Sequence, residues 1–592
     1  MRESTTRSSN HFADPGQIAT ILLGIAFGVS LWLWIPKQTL LQHIVAGIVF
    51  LAIVLMITYW GYRFAIGFLG MKLQAYSPAF RNIAVGWYLL IGCWLAINIP
   101  LPSPPIEMNT FIPPIGVRIT SRLVNGFAIG ILLLLFSVWV AEKFSLPPKP
   151  NHPSKANVFL YIVFMIVVWG VYLLAFYPGM MSADSLVQWE QVLTGVYNDH
   201  HPAFHTFLIW LVTRISLTPV SVAVAQILAL ALVTGEWLAF FRQLGLPSWL
   251  IGLTVLGFSL SPVNGTMVNT LWKDIPYSIA VLGLTLIVAK TVFTKGKWLD
   301  STFSGIVTGF TLAMVALLRH DGLPVAIGTS VMLLSLYLGK WRKWLVSVTI
   351  FGILYLGIRG PIYKWVGVQR SDDLAQASLS LWSMAIHVRP DSVTAKVLDS
   401  LTPFSSTWSC DIWKNISPTW RQTDLNPSPL SSELLENFIR RIPRILLFYF
   451  RCERSMEWII WDPYGEVRNA SHVVALVDPN PFGIHHDSKI PVLRNWIARW
   501  VMETSQNPNL NWFFWRPALF LYVNLLIAGI LTLRNQDFRF LAISVPIIIQ
   551  SITFTLILAA PNFRYHYAVY LVALICLPLL FSSPAIAKQS RT

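Results

Sequence analysis

The chain has 592 residues, of which 55% are hydrophobic and only 12% charged, against about 25% charged in soluble domains. With a mean hydropathy of +0.59, this composition excludes a soluble fold. The formal net charge of +16 sits in short links between apolar runs, the pattern of membrane topology and not of nucleic-acid binding.

After a short polar leader, an apolar run starts near Gln17 with no cleavage pattern ahead of a soluble domain, so it reads as a retained anchor. Runs of about 20 residues, enough to cross the hydrocarbon core, then recur. Hydropathy predicts spans at 17–35, 43–62, 82–99, 122–142, 157–177, 219–241, 249–264, 271–293, 301–318, 322–339, 342–359, 513–533, 538–559 and 563–583. The expected fold is an all-α membrane protein of about fourteen transmembrane helices. Four of them form an N-terminal bundle over residues 1–150, the core runs over 151–359, a hydrophilic insert fills 360–512, and residues 513–592 complete the core.

After Tyr177, Pro178 and Gly179 end a span, and Leu186, Trp189, Leu193 and Val196 recur at helical spacing, which predicts an amphipathic helix along the interface. Ser185 and Gln188 have capping-box spacing, and the plain structural reading of Asp184 is an N-cap. Residues 202–217 are apolar but short and contain His205 and Arg214, so they predict a second interfacial helix. Charge supports this. With the N-terminus inside and 202–217 not crossing, Lys and Arg gather in the inner loops, and the short outer loops hold only Lys37, Arg118, Arg122, Arg214, Lys273, Arg319 and Arg564. The insert then lies outside, with a short helix predicted over Ser431 to Arg441. Cys410 and Cys452 fall within it, as a disulfide or as free thiols.

In this topology the unusual polar clusters share one face: Asp184 in YPGMMSADSLVQWE, Asp199, His200 and His201 in YNDHHP, Lys273 and Asp274 in LWKD, Arg319, His320 and Asp321 in LLRHDG, and Arg564, Tyr565 and His566 in NFRYHY. Ionisable groups at a membrane edge are costly unless paired or functional, so this face is the expected site. Lys273, Arg319 and Arg564 break the charge rule, and a lipid-linked phosphate would explain them. The competing reading pairs Lys273 with Asp274 and Arg319 with Asp321 as local ion pairs. A carboxylate at the headgroup boundary is expected to gain proton affinity and to serve as a general base. His201 and His205, four apart, admit a metal with Asp199 or His200, but the motif lacks the Glu of a zinc protease and Pro202 makes His201 a helix-start residue. No metal or other cofactor is assigned.

The order of a span ending in YPG, an acidic residue in the first outer loop, two interfacial helices, and LWKD and RHDG at later outer ends resembles the GT-C superfamily of membrane glycosyltransferases. The likeness is to a bacterial branch whose first loop reads Asp-Ser, Gln and His-Pro, and it covers Asn157 to Ala587, loosely at CDIWK in the insert. It implies a GT-C-like core in a bacterial plasma membrane, a sugar donor carried on a polyprenyl phosphate, and an extracytoplasmic acceptor. It also implies that Asp184 is the base, with Asp199 as runner-up. The Asp-Glu pair of protein mannosyltransferases and a sequon-reading motif are both absent, which puts those two activities in doubt. Lys273, Arg319 and Arg564 would then hold the lipid phosphate, supported by His200, His201, Asp274, His320, Asp321, Tyr565 and His566. A transporter or lipid flippase, or a ligase using a diphosphate-linked glycan, are the competing functions. A transporter would predict inverted repeats and mid-membrane charges.

Overall fold

The computed structural model describes residues 76–98, 115–146, 155–369, 477–557 and 563–584, together with Ile48. The expected spans at 17–35 and 43–62, the 431–441 helix, CDIWK, Cys410 and Cys452 lie outside the described residues. The described residues are mostly helical, and eight helices among them are long and apolar enough to cross a membrane, making this a multi-pass integral membrane protein.

The chain divides into two compact units, one formed by Met1–Lys143 and Thr532–Phe538, the other by Phe144–Leu531 and Arg539–Thr592. In the first, α1 (Pro78–Asn98) packs on α2 (Ile115–Lys143) through glycines. A Cβ on Gly92 would come within 2.2 Å of the Gly126 carbonyl oxygen, so the two backbones touch as small-residue membrane crossings allow. At the end of α2, Arg534 donates from Nε to the Ala141 carbonyl and from Nη2 to the Val140 carbonyl, both at 3.1 Å. A cation there satisfies carbonyls that the helix leaves open.

The second unit begins with α3 (Lys155–Ala175), a cis Tyr177–Pro178 bond, and two short helices, α4 (Ala183–Thr194) and α5 (Ala203–Thr213). Then come α6 (Pro219–Gln243), α7 (Ser248–Leu260), α8 (Pro262–Met267), α9 (Asp274–Phe293), α10 (Thr302–Leu318), α11 (Gly322–Leu336) and α12 (Trp341–Gly357). A single π-helical turn, Ile358–Ile362, carries α12 into α13 (Tyr363–Val366). After the insert follow α14 (Pro491–Gln506), α15 (Pro508–Phe514), α16 (Pro517–Asn535), α17 (Val545–Ile557) and α18 (Tyr567–Cys576).

Several expected ends move. The 249–264 span stops at Leu260 because Pro262 cannot continue the helix, leaving 13 residues in α7. The predicted 538–559 span opens as a 3-10 helix over Phe538–Ser544 before α17. With 11 residues, α5 is about 16 Å long at 1.5 Å per residue, too short to cross, and it exposes Trp210 and Leu211. In α4, Leu186 and Trp189 face inward while Leu193 and the following Val196 are exposed.

Candidate active site

Backbone pairing first brings the loops together. Met180 donates its N–H to the Asn269 carbonyl and accepts from Leu271 N–H, both at 2.9 Å, so the YPG loop and the loop before α9 run side by side. The Ser185 hydroxyl donates to the Leu271 carbonyl at 2.8 Å, and Trp272 Nε1 donates to Ser182 Oγ at 2.8 Å. The residues N-terminal to α9 are thereby fixed beside the first turn of α4.

That turn starts three residues earlier than capping-box spacing suggests. Ser182 is the N-cap residue and Asp184 lies inside the first turn. Asp184 is therefore not an N-cap, and the Ser185–Gln188 capping box does not form, because Ser185 bonds Leu271 and Gln188 bonds Thr206 and His205. The first-turn donor Ala183 N–H is satisfied instead by Asp478 Oδ2, at 2.9 Å, from the returning end of the insert. That segment also pairs with the YPG loop, through Asp478 N–H to the Met181 carbonyl and Asp487 N–H to the Tyr177 carbonyl.

Freed from capping, the Asp184 carboxylate meets cations. Arg564 Nη2 donates to its Oδ2 at 2.8 Å, and His201 Nε2 lies 4.0 Å from its Oδ1. Burial raises its proton affinity, but Arg564, Lys273 and His201 together outweigh burial and hold it below the usual carboxylate range. The expected gain in proton affinity is thus reversed by the cations gathered around it.

Arg564 lies over the rings of Trp272 and Tyr565, with its Nε 3.7 Å from Asp274 Oδ2. Asp274 in turn pairs with Arg319, which also donates from Nε to Asp321 Oδ1 at 2.9 Å. Arg319 is enclosed by the rings of Tyr277, Phe554 and Tyr565 and is 6% exposed. The ion-pair alternative fits Arg319, whereas Lys273 Nζ contacts His201 Nδ1 at 2.6 Å. A glycine makes the tight RHDG turn possible, since a Cβ on Gly322 would sit 1.9 Å from the Val315 carbonyl oxygen.

A second node lies beside the first. Asp199 Oδ1 accepts from Ala203 N–H at 3.0 Å, as a cap of α5, and its Oδ2 accepts from Arg359 Nη2 at 2.7 Å. Its carbonyl accepts from His320 Nε2 at 2.9 Å, which fixes that ring's tautomer. Both Asp199 oxygens are committed. His200 is exposed, with its ring 4.8 Å from that of His201, and His205 Nδ1 bonds Gln188 Oε1 at 2.9 Å, so His201 and His205 take different partners. His566 is buried against Phe554 and Tyr565 flanks both arginines.

Every expected site residue therefore falls in or beside one cluster. Among the four carboxylates, Asp184 is 34% exposed, against 2% for Asp274, 10% for Asp321 and 11% for Asp199, so it alone is well open to an incoming molecule. Sequence reading missed Arg359 and Asp478. A lone Arg at the end of an apolar span and a π-helical turn, a form common at functional sites, were the available signals for Arg359. For Asp478, 295 residues from Ala183 in sequence, there was none. The chain matches no known protein family, no curated protein and no solved structure.

Proposed function

We propose that the chain is a membrane glycosyltransferase with a GT-C-like core of about fourteen spans, set in a bacterial plasma membrane with its site on the extracytoplasmic side. It moves a sugar from a polyprenyl-phosphate donor to an extracytoplasmic acceptor in the cell envelope. The observation that carries this reading is Asp184, an ionised carboxylate open to solvent and flanked by Arg564 and Lys273. An acceptor hydroxyl or amine attacks the anomeric carbon, Asp184 removes its proton, and the bond to the lipid phosphate breaks with inversion. Negative charge collects on the phosphate, where preorganised cations lower the barrier most.

Arg564 and Lys273 suit the phosphate best, because Arg319 already serves Asp274 and Asp321. In this reading Arg319 acts at one remove, by holding Asp274 against Arg564. Asp199, His200, His320, Tyr565 and His566 shape the walls.

The test is consumption of a polyprenyl-phosphate sugar by the purified protein in detergent. Turnover is expected, with competition by lipid monophosphates stronger than by diphosphates. Preference for diphosphate lipids would indicate a glycan ligase. Absence of any consumption, together with movement of lipid or solute across vesicles, would indicate a transporter or flippase.

A further inference from the structure

Asp184 presents a difficulty as a base, because the cations that keep it ionised also make it a poor resting place for a proton. The cluster contains a place for that proton to go. Lys273 Nζ and His201 Nδ1 are 2.6 Å apart, and the other nitrogen of the same ring, Nε2, faces Asp184 Oδ1 at 4.0 Å. The ring is buried, and its loop is fixed by the Asp199 cap on α5. A separation of 4.0 Å is longer than a hydrogen bond, but catalytic contacts commonly tighten only when substrate binds.

We infer, resting on the transferase reading, that His201 and Lys273 relay onward the proton that Asp184 removes from the acceptor. Before the reaction Asp184 is ionised, His201 carries its proton on Nδ1, and Lys273 is a neutral amine accepting it. The acceptor X–H bond breaks as X bonds the anomeric carbon, and the sugar–phosphate C–O bond breaks with its electron pair leaving on phosphate. The acceptor proton passes through Asp184 to His201 Nε2, while the Nδ1 proton passes to Lys273 Nζ. Nothing is oxidised or reduced. The proton finishes as an ammonium charge beside the phosphate, at the moment when negative charge has arrived there. The ring is left with its proton on Nε2; once the lipid phosphate has gone, Lys273 returns a proton to Nδ1 as Nε2 gives its own through Asp184 to water, which resets the site.

The environment suits the two roles. Burial first, then the positive charges of Arg319 and Arg564, bring Lys273 down to about 7, although Asp184 and Asp321 pull the other way. His201 is brought down to about 3 by burial and then by Lys273, so it does not rest as an imidazolium and exchanges one proton for another. The charged and titratable groups around the amine are Asp184 from α4, His200, His201 and His205 from the α4–α5 loop and α5, Asp274 from α9, Arg319, His320 and Asp321 from the α10–α11 turn, and Arg564.

The test compares wild type with Lys273→Arg and His201→Gln, measuring donor consumption against pH and in mixtures of H2O and D2O. Wild-type kcat should rise as pH passes through about 7, as Lys273 loses its proton. Arginine carries a permanent charge beside the phosphate and cannot become neutral to accept the proton. Lys273→Arg should therefore bind the lipid donor with a KM at or below that of wild type and lose kcat by about 10- to 100-fold, together with the limb near neutrality; His201→Gln should lose the same limb. Wild type should also give a bowed proton inventory, a readout that needs no variant to fold. A linear inventory, or wild-type kcat and pH limb in either variant, would overturn the relay and leave Asp184 as base. A wild type that consumes no lipid-phosphate sugar would overturn the transferase reading and the relay with it.

Discussion

At the scale of residues, the four aspartates differ in what holds them. Asp199 spends one oxygen on the Ala203 N–H and the other on Arg359, so Asp199→Ala should cost about 1–2 kcal/mol of stability for the lost cap while kcat falls less than tenfold. Melting and turnover of the purified variant separate the two effects. A rate loss as large as that of a missing base would instead place Asp199 in the chemistry. Arg319 is the opposite case. Replacing it by Met strands Asp274 and Asp321 as buried charges, and breaking a buried pair costs about 3–5 kcal/mol. A fluorescence melt should show Arg319→Met unfolding well below wild type, whereas an unchanged melt with only a raised KM would make Arg319 a direct phosphate ligand. Acid acts through Asp184: because its folded-state proton affinity lies below the ordinary value of 3.8, its stabilising contribution is present above that pH. It is lost only as pH falls through the lower folded value, which a melt series on the acid side would reveal.

Elements were legible wherever apolar length or a strong breaker decided them. The α3, α6 and α9 spans follow from hydropathy, and the breaks that leave α4 and α5 as short helices follow from Pro178–Gly179 and Pro202. Ends were less legible. Ser185 and Gln188 mimic a capping box, but tertiary bonds to Leu271, Thr206 and His205 claim both side chains, and the helix starts where Asp478 can satisfy Ala183 N–H. Local pattern cannot reveal a cap supplied by a partner so distant in sequence. Asp478→Ala should therefore loosen the first turn of α4 by about 1 kcal/mol, as for a lost cap. Faster hydrogen exchange at Ala183 and Ser185 would register it, and unchanged protection there would mean that the insert end does not hold the turn.

For the molecule as a whole, the structure brings together the polar clusters that the sequence, by span counting and charge placement, expects on one face. What the sequence could not supply was the pairing within that face: Asp184 with Arg564 across 380 residues, and Lys273 with His201 across 72. Those choices depend on packing between helices that hydropathy treats as interchangeable. The topology predicts that reporters placed after Gly195 and after Gly296 lie on opposite sides of the membrane, since α6, α7 and α9 intervene. Reporters on the same side would mean that the 13-residue α7 does not cross. The central claim is that the solvent-open carboxylate of this cluster performs the transfer. Its most direct measurement is lipid-phosphate-sugar turnover by Asp184→Asn, purified beside wild type and matched to it in melting behaviour. Turnover should fall by about 10²- to 10⁴-fold, the usual cost of removing a general base; an Asp184→Asn protein that works at the wild-type rate would contradict the account.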